Sequence, residues 1–149
     1  NLVDNIHRTL QETEVDPGRL ILEVTEKVSA PEDDEALAVL KELRSWGIRI
    51  SLDDFGTGYS ALSYLALFPV DVLKIDRSFV DMIGANGDSQ KIIETIKALA
   101  NHLNLAVIAE GVETADQIPF LRSIDCEYAQ GYLYGKPLDS ISATKLLEK

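Results

Sequence analysis

Residues 48–60 of the chain read Ile-Arg-Ile-Ser-Leu-Asp-Asp-Phe-Gly-Thr-Gly-Tyr-Ser, and this stretch decides the fold. Its first part, Ile48 to Leu52, is a short apolar run that predicts a buried strand. The strand runs directly into two acidic residues, Asp53 and Asp54, and the glycines that follow predict a loop from Asp53 to Tyr59. The stretch is therefore typical of a strand that is followed, at its carboxyl end, by a loop that begins with polar residues.

The same unit is repeated on both sides of this stretch. Apolar runs predict further strands at residues 20–24, 70–75, 105–109 and 126–133. Helical spacing, capping residues and glycine or proline stops predict helices at about residues 2–14, 31–47, 61–67, 88–99 and 114–121, and a last helix capped by Ser140. The chain is thus predicted to alternate between strands and helices from end to end.

This alternation predicts a parallel sheet with helices outside it, which is an α/β fold. Two architectures fit: an open doubly wound sheet, or part of an eight-stranded barrel of the TIM type. A complete barrel takes about 250 residues, so about five βα units would form an open arc with two unpaired sheet edges. Such edges predict poor solubility or self-association of the chain.

The composition narrows the range of partners. The chain has 25 acidic and 14 basic residues, a net charge of −11, which argues against binding a long nucleic acid. No apolar run is long enough for a membrane span, so we expect no membrane contact in this segment and a cytoplasmic location. Cys126 is the only cysteine and is expected to be a small buried residue. His7 and His102 fall on predicted helices, away from the strand ends.

Polar residues cluster where the predicted strands end. In βα barrels the carboxyl ends of the strands form the active-site face, so these side chains would meet in one mouth. Several carboxylates in one place repel each other unless a cation binds them, and oxygen ligands favour Mg²⁺ or Mn²⁺. Asp53 and Asp54 would point to different sides if the strand continues through them, or would bracket two ions if the chain turns. The strand-end residues are Glu23, Glu26, Asp53, Asp54, Lys74, Asp76, Glu110, Glu113 and Gln130.

Lys74 and the glycine loop each have more than one interpretation. Lys74 can form an ion pair with Asp76, can orient water or phosphate, or can form a Schiff base as in barrel aldolases. The Schiff base is disfavoured, because the nearby carboxylates would keep the amine protonated. Gly56 and Gly58 do not match the spacing of common nucleotide-binding loops, so they are interpreted as parts of a shaped turn.

The order of these motifs along the chain resembles that of EAL domains. The resemblance covers essentially the whole chain and implies a βα barrel that hydrolyses cyclic di-GMP to linear pGpG with two Mg²⁺ or Mn²⁺ ions. Residues 1–149 would then be the carboxy-terminal portion of a single EAL phosphodiesterase domain. The resemblance rests on Glu23-Val24-Thr25-Glu26, Asp53-Asp54-Phe55-Gly56-Thr57-Gly58-Tyr59-Ser60, Lys74-Ile75-Asp76-Arg77-Ser78-Phe79, Ala109-Glu110-Gly111-Val112-Glu113-Thr114 and Gln130-Gly131-Tyr132.

The resemblance also implies a role for each matching residue. Glu23, Asp53 and Asp54 would be metal ligands, with Asp53 as the bridge between two ions. Glu110 would be the general base or a ligand of the second metal, and Lys74 would position the attacking water. The supporting residues would be Glu26, which holds the loop after the aspartate pair, together with Asp76, Glu113 and Gln130.

The resemblance is incomplete at the front of the chain. The Glu-Ala-Leu signature of the family and a downstream asparagine would each supply a metal ligand, and neither has a counterpart here. The letters Glu35-Ala36-Leu37 occur after Glu23 and on a predicted helix, so they are not the signature. Asn1 is not a methionine and helical spacing begins at Leu2, so we expect the chain to start in the middle of a structure.

Two functions from different classes therefore stay open. The first is a piece of an active cyclic di-GMP phosphodiesterase that is weak or inactive alone. The second is a catalytically silent EAL domain that binds cyclic di-GMP or a protein partner as a sensor or scaffold. The match at the strand-end residues favours the first. The resemblance also allows a homodimer and fusion to sensory or GGDEF domains.

Overall fold

The computed structural model describes residues 1–25, 34–56, 65, 68–84 and 87–148. The strands are β1 (Ile21–Thr25), β2 (Arg49–Phe55), β3 (Val72–Ile75), β4 (Ala106–Ala109) and β5 (Tyr128–Ala129). The helices are α1 (Leu2–Thr13), α2 (Asp34–Ser45), α3 (Arg77–Val80), α4 (Gly87–His102), α5 (Ile118–Ser123) and α6 (Ser140–Leu147). None of the helices in these ranges is long and apolar enough to cross a membrane.

The five strands form one parallel sheet in chain order, β1-β2-β3-β4-β5. A doubly wound sheet reverses its strand order at a switch point, so this order excludes that alternative. A βα barrel keeps its strands in chain order, and the prediction of a partial barrel is therefore confirmed. Within the described ranges, β1 and β5 each pair with a neighbour on one side only.

The pleat of the strands gives the sheet two different faces. Alternate side chains on one face are apolar and pack with residues of α2, α4 and α5 into the main core, which includes Ile50, Leu52, Leu73, Ile75, Val107 and Ala109. Because side chains alternate along a strand, Glu23, Asp53 and Lys74 lie on the opposite face, which is the inner face of a barrel. The burial of the helix-facing side fixes the register and so fixes which side chains face inward.

Two strand ends differ from the predicted ones by three or four residues, and the other strand boundaries agree to within two residues. β2 continues through Asp53 and Asp54 to Phe55, so the prediction that a loop begins at Asp53 was wrong. β5 ends at Ala129 instead of residue 133, because the chain turns at Gly131, where the Tyr134 N–H donates to the Gly131 carbonyl at 3.1 Å.

Two helix predictions also need comment. α6 is capped by Asp139, whose carboxylate accepts from the Ser142 N–H at 2.9 Å, and Ser140 is the first helical residue, not the cap. The predicted helix at 61–67 lies outside the described residues apart from Leu65, as does the start of the helix predicted from Pro31. His7 and His102 lie on α1 and α4, as predicted.

A carboxylate just before β3 closes the amino end of the β2–β3 pair. Asp71 Oδ2 accepts from the Ile50 N–H at 3.0 Å, and Asp71 Oδ1 lies 2.6 Å from Arg44 Nη2 on α2. The Asp71 carboxylate thus satisfies the Ile50 N–H, the first exposed donor of the strand pair. Arg44 of α2 in turn neutralises the charge of that carboxylate. This arrangement ties strand to strand and helix to sheet at one point.

The same arrangement recurs just before β5. Glu127 Oε2 accepts from the Val107 N–H of β4 at 3.0 Å, and Glu127 Oε1 lies 2.5 Å from Nζ of Lys97 on α4. Lys97 is buried, and its ammonium also donates to Asn101 Oδ1 at 2.7 Å. The buried charge of Lys97 therefore depends on the Glu127 carboxylate.

We expect Glu127→Gln to lower the free energy of unfolding at pH 7 by about 1–2 kcal/mol. Breaking a buried ion pair from one side costs more than this in general, and the partial exposure of Glu127 reduces the cost. Urea denaturation measures the difference. As the matched control, Glu12→Gln removes an exposed pair of 4.0 Å with Arg8 and should cost about 0.5 kcal/mol or less. Equal losses in the two variants would contradict the role of Glu127.

The same pair gives a pH dependence of known sign. Burial alone would raise the pKa of Glu127, but hydrogen bonds from Lys97 and from backbone N–H groups outweigh it and hold the pKa below its ordinary value. A carboxylate with a lowered pKa contributes stability above the ordinary pKa, about 4.3, and loses it as the pH falls through the folded-state pKa. The deficit of Glu127→Gln should therefore be full at pH 7 and shrink below about pH 4.

An apolar groove of about 410 Å³ lies between α1 and the free edge of β1. The rim residue Val15 is 46% exposed. An uncovered apolar groove beside an unpaired parallel strand favours pairing with another chain. The groove is lined by Asn5, Ile6, Thr9, Leu10, Thr13, Val15, Leu20 and Leu22.

We expect the 149-residue chain to self-associate through this groove at micromolar concentrations. Val15→Lys, which places a charge at the rim, should shift the population toward monomer, whereas Leu103→Lys, a similarly exposed position after α4, should not. Size-exclusion chromatography with light scattering over a concentration series measures the shift. A monomer at every concentration, with a sharp thermal transition, would contradict this expectation.

Candidate metal and catalytic site

The centre of the candidate site is the ammonium of Lys74, which projects from β3 onto the inner face of the sheet. Its Nζ lies 2.8 Å from Glu23 Oε1, 3.2 Å from Asp53 Oδ1 and 2.7 Å from Glu110 Oε1. These carboxylates come from β1, from β2 and from the residue that follows β4. The Lys74 side chain is only 4% exposed, so its three carboxylate partners provide the environment in which it can stay charged. Four successive strands thus meet at one cation.

The carboxylates determine the protonation state of Lys74. Burial by itself would lower the pKa of the amine, but hydrogen bonds to Glu110, Glu23 and Asp53 raise it well above its ordinary value. A nucleophilic Schiff-base lysine needs a free amine near neutral pH. The direction of this pKa shift agrees with the prediction that the carboxylates keep the amine protonated, and it disfavours the aldolase hypothesis.

Asp53 and Asp54 are placed by a bulge in β2. Leu52 pairs with Leu73 and Phe55 with Ile75, so β2 uses three residue steps where β3 uses two. The extra residue is accommodated at Asp54, whose φ of 57° is left-handed. Without the bulge Phe55 would point away from the core, whereas it is buried there. The bulge keeps Phe55 in the core while both aspartates remain at the end of the strand.

The aspartate pair lies beside Glu110. One oxygen from each of Asp53, Asp54 and Glu110 can be chosen so that the three lie within 4.8 Å of one another. Two oxygens bound to one Mg²⁺ lie at most about 4.2 Å apart, so small side-chain movements would bring the three to coordination distance. The donor set, all carboxylate oxygen, is also the type that hard divalent cations prefer. The residues present therefore fit a divalent cation.

The Glu110 carboxylate has a raised pKa. Burial raises its pKa above the ordinary value, and the neighbouring Asp53 raises it further, although Lys74 pulls it down. A raised pKa means that ionised Glu110 costs folding free energy at neutral pH. The site therefore has an excess of negative charge, which a bound cation would relieve.

The other predicted site residues fall into different positions. Glu23 pairs with Lys74 from the side of β1, and its side chain is 52% exposed. Gln130 follows β5, with its backbone paired to Ala109 and Val112, and is exposed. Glu26 lies outside the described residues. Glu35-Ala36-Leu37 lies on α2, as predicted, and takes no part in the site.

Asp76 and Glu113, two of the predicted supporting residues, have partners other than Lys74. Lys74 does not pair with Asp76; the Asp76 carboxylate instead caps α3 by accepting from the Ser78 N–H at 3.0 Å. The short turn after β3 demands this cap, because the first N–H groups of α3 have no partners within the helix. Glu113 is held away from Lys74 by an ion pair of 2.8 Å with Arg77 Nη2.

Sequence reasoning missed three residues around this site. Arg77 holds Glu113, and Gln117 donates from Nε2 to the Val80 carbonyl at 3.0 Å. Ser51, at the same level of the sheet as Glu23, is fully buried, and its Oγ has no hydrogen-bond partner among the described protein atoms. Spacing gave no signal for the contacts of Arg77 or of Gln117.

Comparison with known proteins gives a consistent picture. The EAL domain family model matches residues 1–137. MucR of Pseudomonas aeruginosa, a bifunctional diguanylate cyclase/cyclic di-GMP phosphodiesterase, is 44% identical over 137 residues, which is 92% of this chain and 20% of MucR. The chain thus spans about one fifth of the length of that curated relative.

Solved structures agree with the sequence comparison. The PaMucR phosphodiesterase in complex with c-di-GMP has a TM-score of 0.87 at 42% identity, covering 95% of this chain and 57% of that one. The manganese/cy-diGMP complex of Klebsiella pneumoniae BlrP1 has a TM-score of 0.82 at 34% identity, covering 91% of this chain and 34% of that one.

We expect Lys74→Met to lower the free energy of unfolding by about 2–3 kcal/mol in a chelating buffer at pH 7, because three carboxylates would lose their shared cation. The loss should be smaller near pH 4, since Glu110, whose pKa burial already raises, would be protonated there and part of the repulsion would be removed. Denaturant titration at the two pH values measures both effects. Lys41→Met, at an exposed position of α2, is the control and should change little. A loss that does not depend on pH would contradict the charge argument.

Proposed function

Because this chain belongs to the EAL domain family, we propose that it is part of a metal-dependent phosphodiesterase that hydrolyses cyclic di-GMP to linear pGpG in second-messenger signalling. The observation that carries the proposal is the grouping of Asp53, Asp54 and Glu110 beside the buried ammonium of Lys74. Support comes from MucR, a cyclic di-GMP phosphodiesterase relative, and from the c-di-GMP complex of PaMucR.

We assign the cation site to Asp53, Asp54 and Glu110, with Glu23 as a further ligand and with two Mg²⁺ or Mn²⁺ ions as the metal. The manganese complex of BlrP1 supports the choice of a divalent cation. When bound, such ions would acidify a water molecule and neutralise charge on the phosphate. This accounts for an acidic protein that acts on an anionic substrate.

The residues of this chain would then divide the remaining chemistry. Glu110 would accept a proton from the attacking water through a carboxylate oxygen, and the ammonium of Lys74 would hold that water by donating a hydrogen bond. The attack forms a new bond from the water oxygen to phosphorus and breaks the bond to the 3′ oxygen, which leaves as a hydroxyl after taking up a proton. Gln130, Glu113, Asp76 and Glu26 keep the supporting roles predicted from the sequence.

The test is the release of pGpG from cyclic di-GMP with Mn²⁺, followed by chromatography. The chain should be assayed alone and within the longest protein that its gene encodes. Asp53→Asn and Glu110→Gln should each reduce the rate at least about 100-fold, the size expected for loss of a base or ligand. A chelator should remove activity, and Mn²⁺ should restore it.

The control is Asp125→Asn, an exposed aspartate with a φ of 53° that asparagine tolerates, which should keep full activity. Equal activity in the Asp53→Asn variant would overturn the assignment of the site. Binding of cyclic di-GMP without pGpG release from either length of chain would instead indicate a sensor or scaffold. Four further points stay predictions: that residues 1–149 are the carboxy-terminal portion of a single EAL phosphodiesterase domain, a homodimer, fused sensory or GGDEF domains, and a cytoplasmic location.

A further inference from the structure

Resting on the proposed function, we propose that Arg77 is a positioning residue that keeps Glu110 beside the aspartate pair. Arg77 is the first residue of α3 and does not contact Lys74, Glu110 or the aspartates in the structure; its side chain reaches across to the loop that follows β4. The proposal concerns how the carboxyl end of β4 is held at the distance that the site requires.

The first observation is the contact between Arg77 and Gly111, the residue next to Glu110. Gly111 has a φ of 69°, and a Cβ added there would lie 2.3 Å from Arg77 Cγ and 2.7 Å from Arg77 Cβ. The alkyl stem of Arg77 therefore lies directly on the backbone of Gly111. Any lateral movement of the Glu110 backbone toward α3 is blocked by this stem.

The second observation is that the Arg77 guanidinium binds the loop after β4 through the side chain of Glu113. Nη2 lies 2.8 Å from Glu113 Oε1, and Nε lies 3.0 Å from Asp81 Oδ2. The ion pair with Asp81 keeps the Arg77 guanidinium from rotating freely. The ion pair with Glu113 therefore ties the loop after β4 to α3. The alkyl stem of Arg77 packs on Gly111 and its guanidinium pairs with Glu113, so the two parts hold the loop from two directions.

The third observation is that α3 also contacts the end of β2. A Cβ on Gly56 would lie 3.0 Å from Phe79 Cε2, so the Phe79 ring packs on the backbone just after the aspartate pair. Gln117 adds a second tie, because it donates to the Val80 carbonyl and accepts from the Glu113 N–H at 2.9 Å. α3 therefore lies between the end of β2 and the loop after β4, which carry the proposed metal ligands, and sets their separation.

These contacts predict an effect on the site that is larger than the effect on stability. Arg77, Asp81 and Glu113 are all well exposed, and exposed ion pairs contribute little to folding. Groups that orient metal ligands from outside, by contrast, commonly change metal affinity about 10-fold or more when they are removed. Metal affinity and thermal stability should therefore respond differently to loss of Arg77.

The test measures Mn²⁺ binding by the complete 149-residue chain, using calorimetry and the electron paramagnetic resonance of free Mn²⁺. Arg77→Ala should weaken Mn²⁺ binding about 10-fold, with little change in the Tm of the metal-free chain. Arg77→Lys keeps an alkyl stem and one positive charge and should recover part of the affinity. Arg8→Ala, which removes an exposed ion pair on α1, is the control and should bind Mn²⁺ as the unchanged chain does.

A second variant tests the contact itself. Gly111→Ala should weaken Mn²⁺ binding because its Cβ collides with the Arg77 stem; adding Arg77→Ala removes the collisions with Cγ and Cδ and leaves the contact of 2.7 Å with Cβ. The two effects should therefore be less than additive in the double variant, as expected for residues in direct contact.

The outcomes separate the two proposals. If the unchanged chain binds Mn²⁺ and Arg77→Ala binds it equally well, the positioning role is wrong while the proposed function stands. A loss of affinity that only parallels a loss of Tm would likewise overturn the positioning role in favour of a structural one. If the unchanged chain binds no Mn²⁺, the proposed metal site fails and the role of Arg77 fails with it.

Discussion

The buried ammonium of Lys74 is the interaction on which the arrangement of the site depends. It draws one carboxylate each from β1, from β2 and from the end of β4 to within 3.2 Å or less, so it fixes the relative positions of four neighbouring strands at their carboxyl ends. Those carboxylates would otherwise repel each other, and the ammonium would otherwise be a nearly uncompensated buried charge. The carboxylates therefore need the ammonium, and the ammonium needs the carboxylates. The backbone positions of the four strands satisfy both needs.

The bulge in β2 shows how the hydrophobic core and the site constrain each other. Leu52 and Phe55 must both face the helices, and a regular strand cannot place residues three apart on one face. The left-handed Asp54 resolves this conflict at a cost in backbone energy that aspartate tolerates better than most residues. The packing of Leu52 and Phe55 in the core therefore determines the backbone geometry of the aspartate pair, which lies outside the core.

Much of the fold was predictable because it follows from local patterns. Apolar runs separated by helical periods predicted five parallel strands but left their order open between a doubly wound sheet and a barrel. Polar residues at the strand ends predicted where the site would form. The bulge at Asp54 was not predictable, because it arises from where Phe55 packs in three dimensions. The early end of β5 depends on Gly131, where a Cβ would lie 2.1 Å from the Val112 carbonyl oxygen, and no spacing rule reports such an approach.

The carboxylates at the two ends of the sheet differ in whether each has a cation of its own. Asp71 and Glu127, at the amino end, each accept one backbone N–H and each pair with a cation of their own, Arg44 of α2 and Lys97 of α4. Glu23, Asp53 and Glu110, at the carboxyl end, share a single ammonium, and the pKa of Glu110 is raised by burial. A carboxylate with its own partners gains nothing from a further cation, whereas carboxylates that share one retain unused oxygen ligands and unneutralised charge. Acidic residues at the strand boundaries thus stabilise the fold at one end of the sheet, and at the other end they leave the charge imbalance that a metal-dependent phosphodiesterase would use.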